Sequence, residues 1–189
     1  MARKQAKVYK TQAGEVVYGM MAEFATPADA YHAAEKLRDQ GYRHWDVYAP
    51  FPIHGIDEAM GLKPSRVPLV TGLVGLTGAA VGFGFQWWVS TYGYATVVQG
   101  KPFGAWQTFI PVTFEIGVLF TAFTAILSML AFNVLPMWYH PLMKKPRFLR
   151  VSDDRFIICV EAREPAFDPA KTKALLESLK GYNIDLVEE

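Results

Sequence analysis

Two long apolar segments interrupt an otherwise polar chain. Residues 67–89 and 109–135 contain no Asp, Lys or Arg and a single acidic residue, Glu115. Each segment exceeds the roughly 20 residues that an α-helix needs to cross a hydrocarbon core of about 30 Å. The pattern predicts a transmembrane hairpin of two helices, joined by a loop over residues 90–108.

The polar part before the hairpin has the pattern of a strand, a helix and a second strand. VVYGMMAEF and YRHWDVYAP are rich in strand-forming residues. Between them, Thr26 and Pro27 form a helix start, Asp29 completes an approximate capping box, and Gly41 marks the stop. A short helix is also expected over DEAMGL, just before the membrane.

The polar part after the hairpin repeats this order. RFIICVEA and YNIDLVEE are predicted strands, and the helix between them is expected to start at Asp168 and Pro169 and to stop at Gly181. Neither part is long enough to bury a large core alone. A two-helix hairpin returns the chain to the side that it left, so the two parts can share one core.

We therefore predict an α+β membrane protein with a ferredoxin-like domain, interrupted by the membrane hairpin. Residues 1–66 form the first βαβ half and the interfacial segment that leads into the membrane, and residues 67–135 form the hairpin. Residues 136–189 form the second βαβ half. The first 14 residues are polar and basic, so we expect no secretory signal peptide.

The distribution of basic residues predicts the orientation. Six of them flank the outer ends of the hairpin: Lys63, Arg66, Lys144, Lys145, Arg147 and Arg150. The connecting loop carries only Lys101 and several aromatic residues, so both termini are expected in the cytoplasm and the aromatic belt at the opposite interface. The whole chain has 19 basic and 18 acidic residues, a balance that gives no reason to expect nucleic acid as a partner.

Each membrane helix carries a face of small or polar residues. At about 100° per residue, the face on the first helix comprises Gly72, Gly75, Ala79, Gly82 and Gln86. The face on the second helix comprises Gly117, Thr121, Thr124 and Ser128. Such faces favour close helix contact. Glu115 lies on roughly the opposite side of the second helix, so a second face requires a neighbour other than lipid, and we predict that the chain is a subunit.

Two roles are open for Glu115. It is expected either to be protonated and hydrogen-bonded across a helix contact, or to join a proton or water path with a polytopic neighbour.

The sequence offers little cofactor chemistry. A single cysteine, Cys159, forbids an intrachain disulfide, a CxxC pair, a CxxCH haem attachment and a self-contained iron–sulfur site. The four histidines lie outside the apolar segments, which argues against a membrane haem b. No Ser/His/Asp or Cys/His nucleophile system is visible, so we expect neither a cofactor nor an enzymatic activity in this chain.

The stretch FPIHGIDEAMGLKPSRVP, residues 51–68, allows two interpretations. His54, Asp57 and Glu58 are close enough in sequence to suggest a metal site, but a zinc site needs about three protein ligands and no second His or Cys cluster is near. Alternatively, Asp57 or Glu58 opens a short helix and His54 is hydrogen-bonded in a Pro-rich turn. Lys63 and Arg66 then reach lipid phosphates or an acidic partner.

The order of motifs resembles one family. The run APFPIHGIDEAMGLKPSRVP, the glycine-rich span, a second span ending NVLPMWYHP and the RFIICVEA strand resemble the small two-helix, ActD-like membrane subunit of bacterial alternative complex III. The resemblance covers about Val17 to Ala162 and transfers no catalytic residue. It implies a subunit of an inner-membrane respiratory or photosynthetic complex that oxidises quinol.

The resemblance also implies the partners. Haem c and iron–sulfur clusters are expected in multihaem cytochrome c and iron–sulfur subunits, and the quinol site on polytopic membrane subunits. Residues 51–68 are then a docking segment, here called the collar, at the cytoplasmic ends of neighbouring subunits. The alternative is a homo-oligomeric membrane sensor with a ferredoxin-like ligand-binding domain, and a membrane enzyme is a third possibility.

Overall fold

The computed structural model describes residues 8–11 and 14–189. The N-terminal segment for which we predict no signal peptide, residues 1–14, lies for the most part outside these described residues. The helices and strands follow in the order β1 Val17–Phe24, α1 Pro27–Asp39, β2 Trp45–Tyr48, α2 Ile56–Met60, α3 Val67–Trp88, α4 Ile110–Phe132, α5 Pro146–Leu149, β3 Phe156–Glu161, α6 Pro169–Ser178 and β4 Tyr182–Glu188.

The chain divides into two compact units. One consists of residues up to Lys63 together with Trp138–Glu189 and is called the sheet unit; the other, Pro64–Met137, is the hairpin unit. The sheet unit contains every strand named above, and the hairpin unit contains α3 and α4.

Four antiparallel strands form one sheet in the order β2-β3-β1-β4. Strand β3 lies between β2 and β1, with Trp45 and Met20 both opposite Val160. The two central strands are almost completely buried, while β2 and β4 at the edges are partly exposed. The prediction of a mixed helix and sheet architecture is confirmed.

Both long helices of the sheet unit start as their sequences predict. The Thr26 hydroxyl accepts a hydrogen bond from the backbone N–H of Asp29 at 3.1 Å, and Pro27 occupies the first turn of α1. The Asp168 carboxylate accepts from the N–H groups of Ala170 and Lys171, each at 3.1 Å. These bonds satisfy backbone donors that have no partner inside the helix.

The two helices end differently. Gly41 adopts a left-handed φ of +84° after α1, as predicted. After α6, which ends at Ser178, the left-handed residue is Lys180 with φ +68°, one position before the predicted stop at Gly181. Gly181 is needed for another reason: a Cβ there would lie 2.8 Å from the carbonyl oxygen of Leu176 and 3.1 Å from the Ala22 side chain.

The two long apolar helices, α3 and α4, also differ slightly from the predicted bounds of the membrane spans. The second span ends at Phe132 rather than at residue 135, because Val134 takes a left-handed φ of +54° and Leu135, which precedes a proline, avoids the helical region. A π-helical turn, Val89–Gly93, extends α3, and a 3₁₀ turn, Trp106–Phe109, leads into α4.

One face of the sheet carries the main core. Alternate residues of a strand point to opposite faces, so Met20, Ala22 and Phe24 of β1 share one side. They pack against buried residues of α1 and α6, among them Ala33, Leu37 and Leu176, and against Leu179, which directly follows α6. This is the side on which the amphipathic faces of both helices are buried.

The other face of the sheet is covered by residues 138–152, here called the strap. Leu142 is completely buried and Phe148 is nearly so, in a cluster with Met21 and Cys159. The Leu142 N–H donates to Nδ1 of His140 at 3.3 Å. This assigns the imidazole proton to Nε2, which lies 3.2 Å from the Tyr18 hydroxyl.

The single cysteine is enclosed under the strap. Cys159 lies in β3 with 1% of its surface exposed, as expected for a structural thiol. Burial raises the pKa of the thiol far above its ordinary value, with smaller contributions from Glu161 and Asp46. Because the thiolate is the nucleophile, Cys159 should remain unreactive while the fold is closed.

Candidate functional site: the membrane hairpin and the collar

The two membrane helices are held together by glycines. Gly75, Gly78 and Gly82 of α3 are buried against α4. A Cβ at Gly78 would lie 2.7 Å from Cβ and Cγ of Phe120, and one at Gly82 would lie 2.9 Å from Ile116. A Cβ at Gly75 would overlap the Thr121 hydroxyl. These three positions require glycine, because the two helix backbones approach too closely to leave room for a side chain.

The structure separates the predicted small face of the first helix into two parts. Gly75 and Gly82 lie in the contact, and Ala79 approaches Gly117 of α4. Gly72 has no atom within 4 Å of the position that its Cβ would take. Gly78 was missed by the sequence argument, although its spacing of three from Gly75 and four from Gly82 places it on the same face.

The polar groups of this contact are satisfied within the hairpin. The Gln86 amide donates to the carbonyl oxygens of Gly82 at 3.1 Å and Phe109 at 3.3 Å, and to the Thr113 hydroxyl at 3.3 Å. The Thr121 hydroxyl donates to Gly117, one turn earlier in α4, at 2.8 Å. Bonds of this kind remove the cost of placing polar groups in an apolar medium.

The other two residues of the predicted polar face of α4, Thr124 and Ser128, are buried to different degrees. Ser128 is buried and its hydroxyl donates to the Ala125 carbonyl at 3.3 Å, whereas Thr124 is half-buried. An open apolar groove of about 500 Å³ runs along one side of the helix pair. Its walls include Gly72, Leu76 and Phe83 from α3 and Ile110, Phe114 and Val118 from α4.

Glu115 points away from this contact. It is exposed, and within the described part of the chain no hydrogen bond or ion pair reaches its carboxyl group. It is the only Asp, Glu, Lys or Arg in either candidate span, Val67–Gly93 or Trp106–Phe132. A charge that faces lipid costs at least about 2–3 kcal/mol, so an isolated hairpin in a bilayer leaves this position unfavourable.

The collar presents its charged groups outward. His54, Asp57, Glu58, Lys63 and Arg66 are all exposed. In residues 8–11 and 14–189, no group of three or more His, Cys, Asp or Glu side chains is arranged to hold a metal ion. The structure therefore does not bring the first three of these residues together with another ligand.

Helix α2, in the part of the collar that lies in the sheet unit, is fixed against α1. Ala59 is buried, and the Arg38 guanidinium of α1 donates to the Glu58 carbonyl at 2.8 Å. The helix starts after Gly55, which is left-handed with φ +78°, so the prediction that Asp57 or Glu58 opens it is wrong. The predicted hydrogen bond of the His54 side chain is not formed with any of the described residues.

The basic residues that follow the hairpin are engaged in ion pairs. Arg147 lies 3.2 Å from Asp185 of β4, Arg150 lies 2.6 Å from Asp154, and Lys145 lies 3.7 Å from Glu188. Lys144 bonds to the carbonyl oxygen of Glu189. The pairs of Lys145 and Arg147 and the bond of Lys144 join the strap to β4 and the residue that follows it, whereas Arg150–Asp154 is a local pair. Charge counting alone therefore overstates the number of unpaired cations in this segment.

A buried carboxylate strengthens the same attachment. Glu23 of β1 is 3% exposed and lies between Arg147 at 4.0 Å and Arg155 at 3.9 Å. It also accepts a hydrogen bond from the Asn183 amide at 3.2 Å. Removal of either arginine would leave this charge less well compensated, which is costly at a buried position.

A unit of helices and an antiparallel sheet, interrupted in sequence by two apolar helices, defines an α+β protein with two candidate membrane spans. The two candidate spans are almost entirely unburied in the chain itself, as is expected for helices that face lipid or other subunits. The sequence model of the family described as "Alternative complex III, ActD subunit" matches residues 18–186, and the chain belongs to this family. A search of curated proteins found no match to the chain.

Family membership makes the chain a subunit of alternative complex III, an oxidoreductase complex, and thereby confirms the resemblance seen in the motifs. Together with the two apolar helices, it indicates a location in the membrane.

Proposed function

We propose that this chain is a non-catalytic accessory subunit of a quinol-oxidising alternative complex III in the bacterial inner membrane. The observation that carries the proposal is the family match over residues 18–186. A hairpin whose own packing leaves most of its surface uncovered supports it. The chain would contribute helix surfaces and the collar to the assembly, while electron transfer takes place in other subunits.

The inventory of side chains supports a role without a redox centre of its own. Cys159 is enclosed in the sheet unit and the histidines lie outside the two spans. Haem c and iron–sulfur clusters are accordingly assigned to multihaem cytochrome c and iron–sulfur subunits, and the quinol site to polytopic membrane subunits.

The sheet unit is proposed to be ferredoxin-like. Its long elements follow the order β1, α1, β2, β3, α6, β4, which is the order of two βαβ halves. The main core buries both α1 and α6, and the fully antiparallel sheet places β1 and β3 in the centre. The short helices and the hairpin are then insertions between the two halves.

The collar is proposed as the docking segment of the sheet unit. Its exposed side chains carry both signs of charge, with Asp57 and Glu58 on α2 and Lys63 after it. Ala59 and the bond from Arg38 hold α2 in place, so the charges are presented from an ordered backbone. Contact with the cytoplasmic ends of neighbouring subunits would use this mixed pattern for specificity.

The composition of the native complex tests the proposed function. We expect the tagged chain, released gently from its own membranes, to be recovered with haem-bearing subunits, because an accessory subunit has partners and no redox centre of its own. Native mass spectrometry identifies those chains, and absorbance spectra of the isolated chain should show neither haem nor flavin. Recovery of the chain only with copies of itself would reject the proposal and support the sensor alternative.

The orientation gives a separate prediction. A cysteine at Lys101 should react with a membrane-impermeant thiol reagent in intact cells stripped of their outer membrane, whereas one at Lys63 should react only after lysis. Both positions are exposed, so a difference reports the side of the membrane rather than burial. The enclosed thiol of Cys159 supplies the unlabelled background. The reverse pattern would place both termini outside.

A further inference from the structure

We propose that the face of α4 that carries Glu115 packs against a membrane helix of a different subunit, and that this helix presents a hydrogen-bond donor to the Glu115 carboxyl group. The inference rests on the proposed function and names the chemistry of one contact in the assembly. It assigns Glu115 a role as a hydrogen-bonding group in assembly rather than as a proton carrier.

The position of Glu115 in the hairpin is the first step. Glu115 is the sixth residue of α4, so at 1.5 Å per residue it lies about 8 Å along the helix from Ile110. At about 100° per residue it is turned about 200° from Gly117, which approaches Ala79 of α3. Glu115 therefore projects from the side of α4 opposite to α3.

Among the described residues, no side chain of the hairpin donates a hydrogen bond to this carboxyl group. The hydroxyls of Thr121 and Ser128 donate to backbone carbonyls of α4, and the Gln86 amide is committed to Gly82, Phe109 and Thr113. The acyl chains of lipid offer no hydrogen-bond donor at this depth. A partner for Glu115 must come from outside the described part of the chain.

The rest of the face is suited to a helix neighbour. Leu119, Ala122, Ile126 and Met129 continue it along α4 and are exposed. Ala122 lies two turns from Glu115, where a small side chain permits close approach of a second helix. The opposite face is already occupied by α3. One helix thus has two packing faces, of which only one is satisfied within the chain.

Charge complementarity selects a different subunit over a second copy of this chain. A symmetric pair of α4 helices would bring two Glu115 side chains to the same level, and neither helix has another polar side chain that is free to donate on this face. A helix with Arg, Lys, His, Asn, Gln, Ser, Thr or Tyr at this depth supplies what is missing.

Two substitutions at the same position distinguish contact with a subunit from contact with lipid. Glu115→Gln keeps the size and the hydrogen-bonding capacity, so recovery of haem-bearing subunits with the tagged chain should stay within about two-fold of wild type. Glu115→Leu should reduce that recovery by about ten-fold, because the donor on the neighbouring helix is left unpaired. If Glu115 faced lipid, the Leu variant would assemble as well as wild type or better.

The chain offers a matched control in Thr77. This residue is exposed on α3 and its hydroxyl donates to the Leu73 carbonyl of its own helix at 2.8 Å. Thr77→Leu is also a change from polar to apolar in the hairpin, and should leave recovery unchanged. The amount of each variant in the membrane, and the labelling of a cysteine at Lys101, show whether the hairpin is still inserted.

Each remaining outcome contradicts the inference. Normal assembly of Glu115→Leu would show that Glu115 makes no specific contact in the complex. Equal losses for Glu115→Leu and Thr77→Leu would show the same. Loss of assembly in Glu115→Gln requires a charged group instead of a hydrogen bond. Intact assembly of Glu115→Gln with depressed quinol oxidation assigns a proton relay. Failure of the wild-type chain to recover any haem-bearing subunit rejects the proposed function itself, and with it the basis of this inference.

Discussion

Leu142→Ala is expected to lower the free energy needed to open the strap from the sheet by about 2–5 kcal/mol. Leu142 is completely buried in the cluster that includes Met21, Phe148 and Cys159. Truncation removes apolar contacts and leaves a cavity that the antiparallel sheet beneath is too rigid to fill. The strap should therefore open more often while the rest of the sheet unit remains folded.

The single cysteine reports this opening directly. Cys159 lies in the same cluster and becomes accessible to a thiol reagent only when that cluster opens. Since 1.4 kcal/mol corresponds to a factor of about ten in an equilibrium constant, the labelling rate should rise by at least about 25-fold.

Met143→Ala is the matched control for Leu142→Ala, because Met143 is the next residue and is 57% exposed. Its labelling rate should stay within about two-fold of wild type. Equal rates for the two variants would show that the strap does not protect this face.

Gly78→Ala should destabilise the contact between the two membrane helices by about 1–3 kcal/mol. The added methyl group would lie 2.7 Å from Cβ and Cγ of Phe120, closer than carbon atoms approach without displacement. Phe120 lies on α4, so the helices must separate or Phe120 must leave its rotamer. Either change weakens the packing that holds the hairpin together.

The opening of the hairpin can be followed by energy transfer between dyes on cysteines placed at Leu69 and Phe132. These exposed residues lie near the start of α3 and the end of α4, which an antiparallel pair brings to the same end. In mixed micelles, Gly78→Ala should lose energy transfer at a lower fraction of denaturing detergent than wild type.

Gly72→Ala provides the control in the same helix. No atom lies within 4 Å of the position of its Cβ, so the methyl group meets open space. Alanine favours a helix over glycine by up to about 1 kcal/mol in water, so this variant should be as stable as wild type or slightly more so. Equal destabilisation by both substitutions would contradict the close contact at Gly78.

Local signals in the sequence determined where most elements begin. The caps at Thr26 and Asp168 act on backbone groups within three residues, so their effect is contained in a short stretch of sequence. The two apolar helices follow equally directly from the length and composition of their segments. The mixture of helix and strand could be predicted because each pattern has its own period.

Contacts between residues distant in sequence decided the rest. The helical period places Gly72, Gly75, Gly78 and Gly82 on similar sides of α3, but only the positions of Ile116, Phe120 and Thr121 on α4 determine which of them are in contact. The need for glycine at position 181 depends on its close approach to Ala22 of β1. A pattern of residue types contains no information about such distances.

The strap and the face that carries Glu115 also depend on contacts that the sequence pattern does not reveal. The sequence marked the residues after the second span as a basic flank, and only the tertiary structure shows their ion pairs with Asp185, Glu188 and Asp154. The sequence alone identified Glu115 as an ionisable residue inside a predicted membrane span. The packing of α3 against the other side of α4 decided that this carboxyl group faces outward, because two helices in contact leave each with one remaining face for a neighbour.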